Sequence, residues 1–584
     1  MTGQLRSYEV TITNLNASGI PSNSMKTNAA LRLTWIALLS LSSIFPSSIF
    51  AQSARALAGA KDPKPQMSLN NRDRQYKRIH QYALRLILLL RFEEAKTFLQ
   101  DHLKDFPSDA ESHYLMGVWH ARQAQTEHAA DWFRRAIELG LPSGRIAAGP
   151  KGLLRNINLD DPFFRALNES HANTLIHGPL VGSVTSDSAS FWVRTANPSL
   201  IQIEASTSPE FTDRVIAGDG RTRSDADMTA VIRLRGLTPQ STYYYRVKVN
   251  GEPTSTSGAP MRFRTYARKG LPTKLRLAFG GGAGFVPSNE RAWLTIGSFD
   301  PDMLMLLGDN VYIDDPESII MQRYTYHRRQ SRPEWRELTK NTPVFTIWDD
   351  HDFSTNDSWG GPMVDEPFWK PHFAYRTFRE NWANPAYGFG DEQPGCWYQY
   401  SVGDIDFVML DCRYYRTNPR DEKRTILGPV QMQWLKKTLR SLDGTFKALV
   451  SSVPWDFRTK GDSLDTWNGY KTERNEIFDF LKENSIEGVV LMSADRHRSD
   501  AWRIDRPGSY SLYEFNSSRL TNQHVHQEMT DAGALFSYNK KQSFGIVEFD
   551  TTKEDPTVAY TVVTIDGEAI HNLTVRRSML GASR

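Results

Sequence analysis

A chain of 584 residues is too long for one core and predicts two to four domains. Hydrophobic residues at 39% exclude a disordered or membrane-embedded composition, and a net charge of +3 gives no electrostatic case for nucleic-acid binding. Two cysteines, Cys396 and Cys412, exclude a disulfide scaffold and a cysteine zinc cage, and leave open whether they pair or stay as buried thiols.

The first predicted element is a targeting signal. Met25-Lys26 opens a short positive segment, followed by Leu31 to Phe50, apolar apart from Arg32 and several Ser and Thr residues. Ala51 suits a signal-peptidase cut, with Ala54-Arg55-Ala56 as a second option. The reading is a signal peptide over 25–56 whose start is Met25, residues 1–24 being an over-called extension. A membrane anchor is the rival, weakened by Pro46 and the serines. No Arg-Arg pair precedes the apolar run, so the twin-arginine route is not indicated. No later stretch is long and apolar enough to span a bilayer. The expectation is export, to the periplasm or outside the cell, with no span left after cleavage.

Residues 76–142 then repeat with a 34-residue offset: Ala83 aligns with Gly117, Ala95 with Ala129, Leu99 with Phe133 and His102 with Ala136. Small residues at the first two pairs let helices approach, and the bulky third pair fills the gap. With Pro107 and Pro142 closing the units, the stretch 70–142 resembles two tetratricopeptide repeats. Two repeats are fewer than independent stability needs, so the segment leans on a neighbour. It is either a groove for a protein partner or a helical cap that stabilises the rest.

Residues 143–175 form a connector broken by Gly-Pro and Asp-Pro pairs. Residues 176–268 alternate with the period of strands, as in Ser190-Phe191-Trp192-Val193-Arg194 and Thr242 to Val249, with turn signals such as Asn250-Gly251 between them. The Leu237-Thr238-Pro239 to Tyr245 stretch resembles a fibronectin-type β-sandwich. From 274 to 571, buried strands (Leu275–Phe279, Asp302–Leu307, Pro343–Ile347, Phe407–Leu410, Lys447–Ser451, Gly488–Met492) alternate with helical stretches such as Val430 to Leu442, which predicts an α/β fold.

Three strand ends carry the chemistry. The strongest is Trp348-Asp349-Asp350-His351-Asp352-Phe353 with Asn356-Asp357: four carboxylates and a histidine in ten residues after Val344-Phe345-Thr346-Ile347. Like charges at that density repel unless a cation or a hydrogen-bond network neutralises them; a surface acidic patch is the bland alternative. Gly308-Asp309-Asn310-Val311-Tyr312 and Ser493-Ala494-Asp495-Arg496-His497 repeat the arrangement. One Asp after a strand is commonly a helix cap, but ligands from three strand ends are how an open α/β sheet builds a site.

These motifs, with Leu410-Asp411-Cys412-Arg413-Tyr414-Tyr415-Arg416, Leu427-Gly428-Pro429 and Gln433-Trp434-Leu435, resemble the PhoD-type alkaline phosphatases and phosphodiesterases, a branch of the calcineurin-like metallophosphoesterases, over residues 176–571. The resemblance implies a two-sheet sandwich flanked by helices, and a two-metal site for phosphate-ester hydrolysis. Carried over, Asp309 bridges both ions. Tyr312 and His497 bind the first, where a phenolate implies Fe(III). Asp350 and Asp495 bind the second, and all-oxygen ligation there favours Ca, Mg or Mn. His351 protonates the leaving group or orients the phosphate. Asn310, Arg413 and Arg416 are candidates for substrate contact, with plain salt bridges as the alternative for the two arginines.

One departure stands out. The acid or cysteine ligand that relatives carry at the end of the first strand is replaced by Phe279-Gly280-Gly281-Gly282-Ala283-Gly284. Either the first ion is weak or missing, or Gly281 and Gly282 form an N–H nest for phosphate; a plain flexible turn is the bland reading. A histidine of relatives is also absent, Ser451-Ser452-Val453-Pro454 standing there. His524 and His526 are candidates to replace a missing ligand, with a plain loop as the favoured alternative, and Trp467 and Trp502 are either cleft or core. The leading expectation is an exported metal-dependent phosphoesterase; the rival is a decayed phosphatase fold used as a scaffold through its helical repeats.

Overall fold

The computed structural model describes residues 12–14, 72–254, 260–530 and 532–581, with side chains of the first helix from Arg78 onward. The expected leader at 25–56 and all of the expected extension at 1–24 except Ile12–Asn14 lie outside the described residues. Ile12–Asn14 is an edge strand antiparallel to Ala569–Arg576. Among the described residues no helix is long and apolar enough to cross a membrane.

Two mixed sheets make the central α/β unit. In one, Lys274–Gly280, Met303–Leu307 and Val344–Ile347 run parallel. In the other, Ile405–Met409, Phe446–Val450, Val489–Ser493 and Leu512–Asn516 run parallel. Met303–Leu307 and Val489–Ser493 are buried at every position, which is why both read as apolar runs, up to the closing Ser493, rather than alternating ones. The sheets pack through aromatic rings: Phe549 of the first sheet lies 5.5 Å from Phe446 and 6.0 Å from Phe407, and Tyr560 lies 5.0 Å from Phe515. They touch where their parallel strands end, as Gly281 bridges to Ser518 and its amide donates to the Ser517 carbonyl at 3.1 Å. All seven parallel strands therefore deliver their C-terminal loops to one seam.

The β-rich stretch before this unit is not walled off from it. His177–Gly182, Ser188–Arg194 and Thr229–Arg235 continue the first sheet through a parallel pairing of Gly182 with Val344. A second small sheet, built on Leu200–Ser206 and Thr242–Val249, covers them, with Phe191 against Tyr245 at 4.7 Å and Phe263 at 5.4 Å. The strand that carries Trp348-Asp349-Asp350 is thus buttressed from outside its own unit.

Four helices, Arg72–Leu88, Phe92–Asp105, Ala110–Arg122 and Thr126–Glu138, occupy the N-terminal segment. Ala83, Ala95, Ala129 and Phe133 are fully buried. A Cβ on Gly117 would fall 2.5 Å from the Phe133 ring, so only glycine permits that approach. Buried His80, His102 and Asp109 form a cluster with the look of a metal site. Its hydrogen bonds explain it otherwise. Asp109 Oδ2 accepts from Ser112 N at 3.3 Å, capping the third helix, and takes His80 Nε2 at 2.8 Å and His102 Nε2 at 3.3 Å. His80 Nδ1 faces Arg328 Nη2 at 3.5 Å and must accept from it, which leaves the proton on Nε2 for Asp109.

Cys396 and Cys412 are buried free thiols, which decides the question the sequence left open. Trp467 and Trp502 are core residues, both fully buried.

A pH dependence follows from buried His177. Burial first, and then the Arg194 guanidinium that donates to Nδ1 at 3.0 Å, hold its pKa well below the ordinary value. The unfolded chain takes up this proton near pH ~6.5 while the folded chain refuses it. The unfolded state then binds more protons, so stability is full above that pH and falls as pH drops below it. The melting temperature should fall between about pH 8 and about pH 5, and His177→Gln, whose Oε1 still accepts from Arg194, should flatten part of the fall. An identical slope in the variant would remove His177 from the account.

Candidate active site

The seam between the sheets collects the residues that the strand-end motifs singled out. Asp309, Asp314, Asp495 and His497 all sit in the left-handed backbone region, with φ of 53°, 54°, 67° and 48°. Non-glycine residues hold that conformation at a cost, and they do so where surrounding contacts over-determine them. Here Asp352 supplies much of the constraint. Its carboxylate accepts from the backbone N–H of Asp349 at 3.1 Å, Asn310 at 3.2 Å and Val311 at 3.0 Å, lacing the Asp309 and Asp350 loops together. Asn310 belongs to the same lacing. Its Nδ2 donates to the Ile347 carbonyl at 2.8 Å and to Asp352 at 3.2 Å, while its buried Oδ1 accepts no hydrogen bond from the described residues.

Asp309, Asp350 and His351 bring ligand atoms within 4.8 Å of one another, all three buried. Asp309 Oδ1 and Asp349 Oδ2 are buried and accept no hydrogen bond from the described residues. Burial, then the neighbouring carboxylates of Asp350, Asp349 and Asp352, push Asp309 well above the usual carboxylate range, against the pull of His351. Burial pushes Asp349 and Asp352 up to about 7, although Arg413 opposes it at the first and backbone N–H groups at the second. Buried carboxylates this crowded and this incompletely paired fit a cation.

His351 is oriented by a residue that sequence reading missed. Its Nδ1 donates to the Asp314 carboxylate, which accepts only and therefore assigns the proton to Nδ1. Burial disfavours the imidazolium, but Asp314, Asp350 and Asp309 outweigh it and hold the pKa up to about 9. The ring lies 4.4 Å from that of Tyr312. No motif signalled Asp314, since an acid five residues after Asp309 has no pattern of its own.

Tyr312 donates to Asp309 Oδ2 at 2.9 Å and accepts from Asn522 Nδ2 at 2.6 Å, Asn522 being a second unforeseen participant. The glycine-rich strand end does face this corner: a Cβ on Gly282 would lie 3.4 Å from His497 Nδ1. The phosphate nest expected of Gly281 and Gly282 is not formed. The amides of Gly281, Gly282 and Ala283 donate to the carbonyls of Ser517, Gly308 and Asp309 at 3.1, 3.3 and 2.8 Å, so none is left for a ligand. His524 and His526 do approach, their rings 4.8 and 5.6 Å from that of His497.

The two arginines are engaged by protein groups. Arg413 is fully buried and spends its donors on Asp349, on the Ser358 carbonyl at 3.1 Å and on Asp465 at 2.7 and 3.2 Å. Arg416 is bound to Tyr470 Oη at 3.1 Å, to the Leu464 carbonyl at 3.2 Å and to Asp465 at 3.0 Å. Lys460 completes the network, its Nζ 3.0 Å from Asp465 and 3.2 Å from Asp495, and Asp495 is held below the usual carboxylate range by Lys460 and Arg496 despite burial. Ser452, where relatives were expected to carry histidine, donates its hydroxyl to Asp349 at 2.8 Å.

Arg413→Met should therefore act on stability before substrate binding. Removing one partner of a buried pair leaves Asp349 and Asp465 without their guanidinium, at a cost of about 3–5 kcal/mol. Urea unfolding measures it. A raised KM with unchanged stability would restore the phosphate-contact reading.

Residues 277–560 match the family model of the PhoD-like phosphatase, and residues 164–267 match that of the PhoD-like phosphatase, N-terminal domain. Alkaline phosphatase D of Bacillus subtilis (strain 168) is 24% identical over 377 residues, which is 55% of this chain and 64% of the relative's own length. Among solved structures, PhoD superposes with a TM-score of 0.58 at 18% identity, covering 69% of this chain and 90% of that one. The purple acid phosphatase PPD1 from yellow lupin (Lupinus luteus) seeds superposes at 0.52 with 12% identity, over 69% of this chain and 75% of that one. At these identities the two structures establish the fold alone: the central unit has the architecture of the phosphatases. With both family models matched in order along one chain, and the sequence motifs falling at the strand ends of that fold, the chain belongs to the PhoD-like phosphatase family.

Proposed function

We propose that this protein is an exported, metal-dependent phosphoesterase that hydrolyses phosphate mono- or diesters with water as the nucleophile. The observation that carries the reading is the convergence of Asp309, Asp350 and His351 ligand atoms within 4.8 Å, beside a buried Asp309 Oδ1 that accepts no hydrogen bond from the described residues. The name of the Bacillus relative, alkaline phosphatase D, agrees with it. Export rests on the reading of residues 25–56 as a removable leader, which a mature N-terminus close to Ala51 or Ala56 in protein recovered outside the cytoplasm would support.

Asp309, Asp350 and Asp495 would hold a divalent ion, Ca, Mg or Mn, for which their hard oxygens suit. Asp309, Tyr312 and His497 would hold a second, with Fe(III) the ion a phenol favours, one ligand short because Gly282 has no side chain. Bound there, such ions neutralise phosphoryl charge and acidify water. The protein's own residues do the remaining work. Asp352 and Asn310 fix the distance between the Asp309 and Asp350 loops. Asp314 fixes the His351 tautomer, leaving Nε2 as the atom from which a proton passes to the leaving oxygen. Arg413 and Lys460 keep Asp349, Asp465 and Asp495 in place.

The test is purified protein supplied with Ca, Mg, Mn and Fe(III), singly and paired, assayed on a phosphomonoester and a phosphodiester from neutral to alkaline pH. Metal-dependent turnover is expected. A folded protein that binds no metal and turns over neither ester would overturn the reading in favour of a scaffold on a decayed phosphatase fold, which the missing ligand at Gly282 otherwise favours.

A further inference from the structure

We propose that the N-terminal helix Arg72–Leu88 is a working part of the active site, with Arg78 and Gln81 as positioning residues for His351. The inference rests on the phosphoesterase reading and deepens it. Arg78, Gln81 and Arg85 are spaced three and four residues apart, so they share one face of the helix. That face meets the loop after Asp309 residue by residue. Arg78 Nη1 lies 2.5 Å from Asp314 Oδ2. Gln81 Nε2 donates to the Tyr312 carbonyl, and to the Ile313 carbonyl at 3.3 Å. Arg85 Nε donates to Asp315 Oδ2 at 3.2 Å.

The loop needs such support. It lies outside every strand and helix, Asp314 holds a left-handed conformation, and buried carbonyls demand donors. The same loop carries Tyr312 and grips His351 twice. Asp314 takes the imidazole Nδ1, and Ile313 N donates to the His351 carbonyl at 3.0 Å. A chain of contacts therefore runs from the helix to the loop and from the loop to the imidazole. The helical segment is itself anchored to the central unit, for Glu111 accepts from Tyr324 Oη at 2.7 Å. A face used in this way is taken up by the enzyme's own loop rather than offered to a partner. Positioning groups behind an active residue are worth roughly 10- to 100-fold when removed.

The experiment compares the full-length, metal-loaded protein with Arg78→Met and Arg78→Lys. It measures kcat and KM on a para-nitrophenyl ester and an alkyl ester, melting temperature, and the His351 ring signal in carbon-13-labelled histidine spectra assigned with His351→Gln. Arg78→Met should lower kcat on the alkyl ester about tenfold, leave KM and the para-nitrophenyl reaction little changed, and shift the His351 signal; Arg78→Lys should recover most of both. Equal losses on the two esters that track melting temperature, a lysine variant that recovers nothing, or an unmoved His351 signal would overturn the proposal. If the wild-type protein hydrolyses neither ester, the phosphoesterase reading falls, and the His351 signal alone still decides whether Arg78 positions the ring.

Discussion

Asp309→Asn should lower phosphoester hydrolysis by more than about 100-fold, since even groups behind a metal ligand are worth 10- to 100-fold and Asp309 is placed to be a ligand itself. The same substitution should raise, not lower, the melting temperature in metal-free buffer. Asp309 is buried among Asp349, Asp350 and Asp352, and its carboxyl is driven well above the usual range by burial and by those neighbours. An amide of the same shape keeps the hydrogen bond to Tyr312 and removes one of the crowded charges. Sites built for function commonly gain stability when their strained or repelling groups are neutralised. Kinetics and thermal melting on one preparation check both parts. Retained activity would take Asp309 out of the machinery. Lost stability would mean the charge is balanced within the protein, with no need of a cation.

His351→Gln should cost roughly 10²- to 10⁴-fold on esters of poor leaving groups, the range expected for a positioned acid or base. On a para-nitrophenyl ester the loss should be far smaller, because that leaving oxygen departs without a proton. The contrast separates proton donation from metal ligation, which would impair both substrates alike. Glutamine preserves a donor toward Asp314, so the loop is left in place and the loss belongs to the imidazole. A uniform loss on both esters, accompanied by lost metal, would reassign His351 as a ligand, a role its place within 4.8 Å of Asp309 and Asp350 also allows.

The predicted strands of the central unit fall within two residues of those observed, and for a local reason. Parallel strands covered on both faces must be apolar throughout, so Met303–Leu307 and Val489–Ser493 declare themselves without reference to the rest of the chain. The acids that follow them are equally legible, because a buried run that ends in carboxylates has few explanations. Side chains whose role depends on distant partners were not legible. Arg413 in a strand-end motif looks like a phosphate clamp until Asp349 and Asp465, from two other loops, are seen to consume it. Gly281 and Gly282 look like an anion nest until the Ser517 and Gly308 carbonyls are seen to take their amides.

By itself, the sequence determined the α/β alternation and the apolar strands at whose ends Asp309, Asp350, His351, Asp495 and His497 stand, since each is encoded within a few residues of its own strand. Only the tertiary structure decided which of these are satisfied and by what. It brought Asp314 to His351, Asn522 to Tyr312 and the helix of Arg78 to both, across separations of up to 236 residues. Hydrogen bonds reward proximity in space, and no local pattern in a chain records which distant donor will arrive.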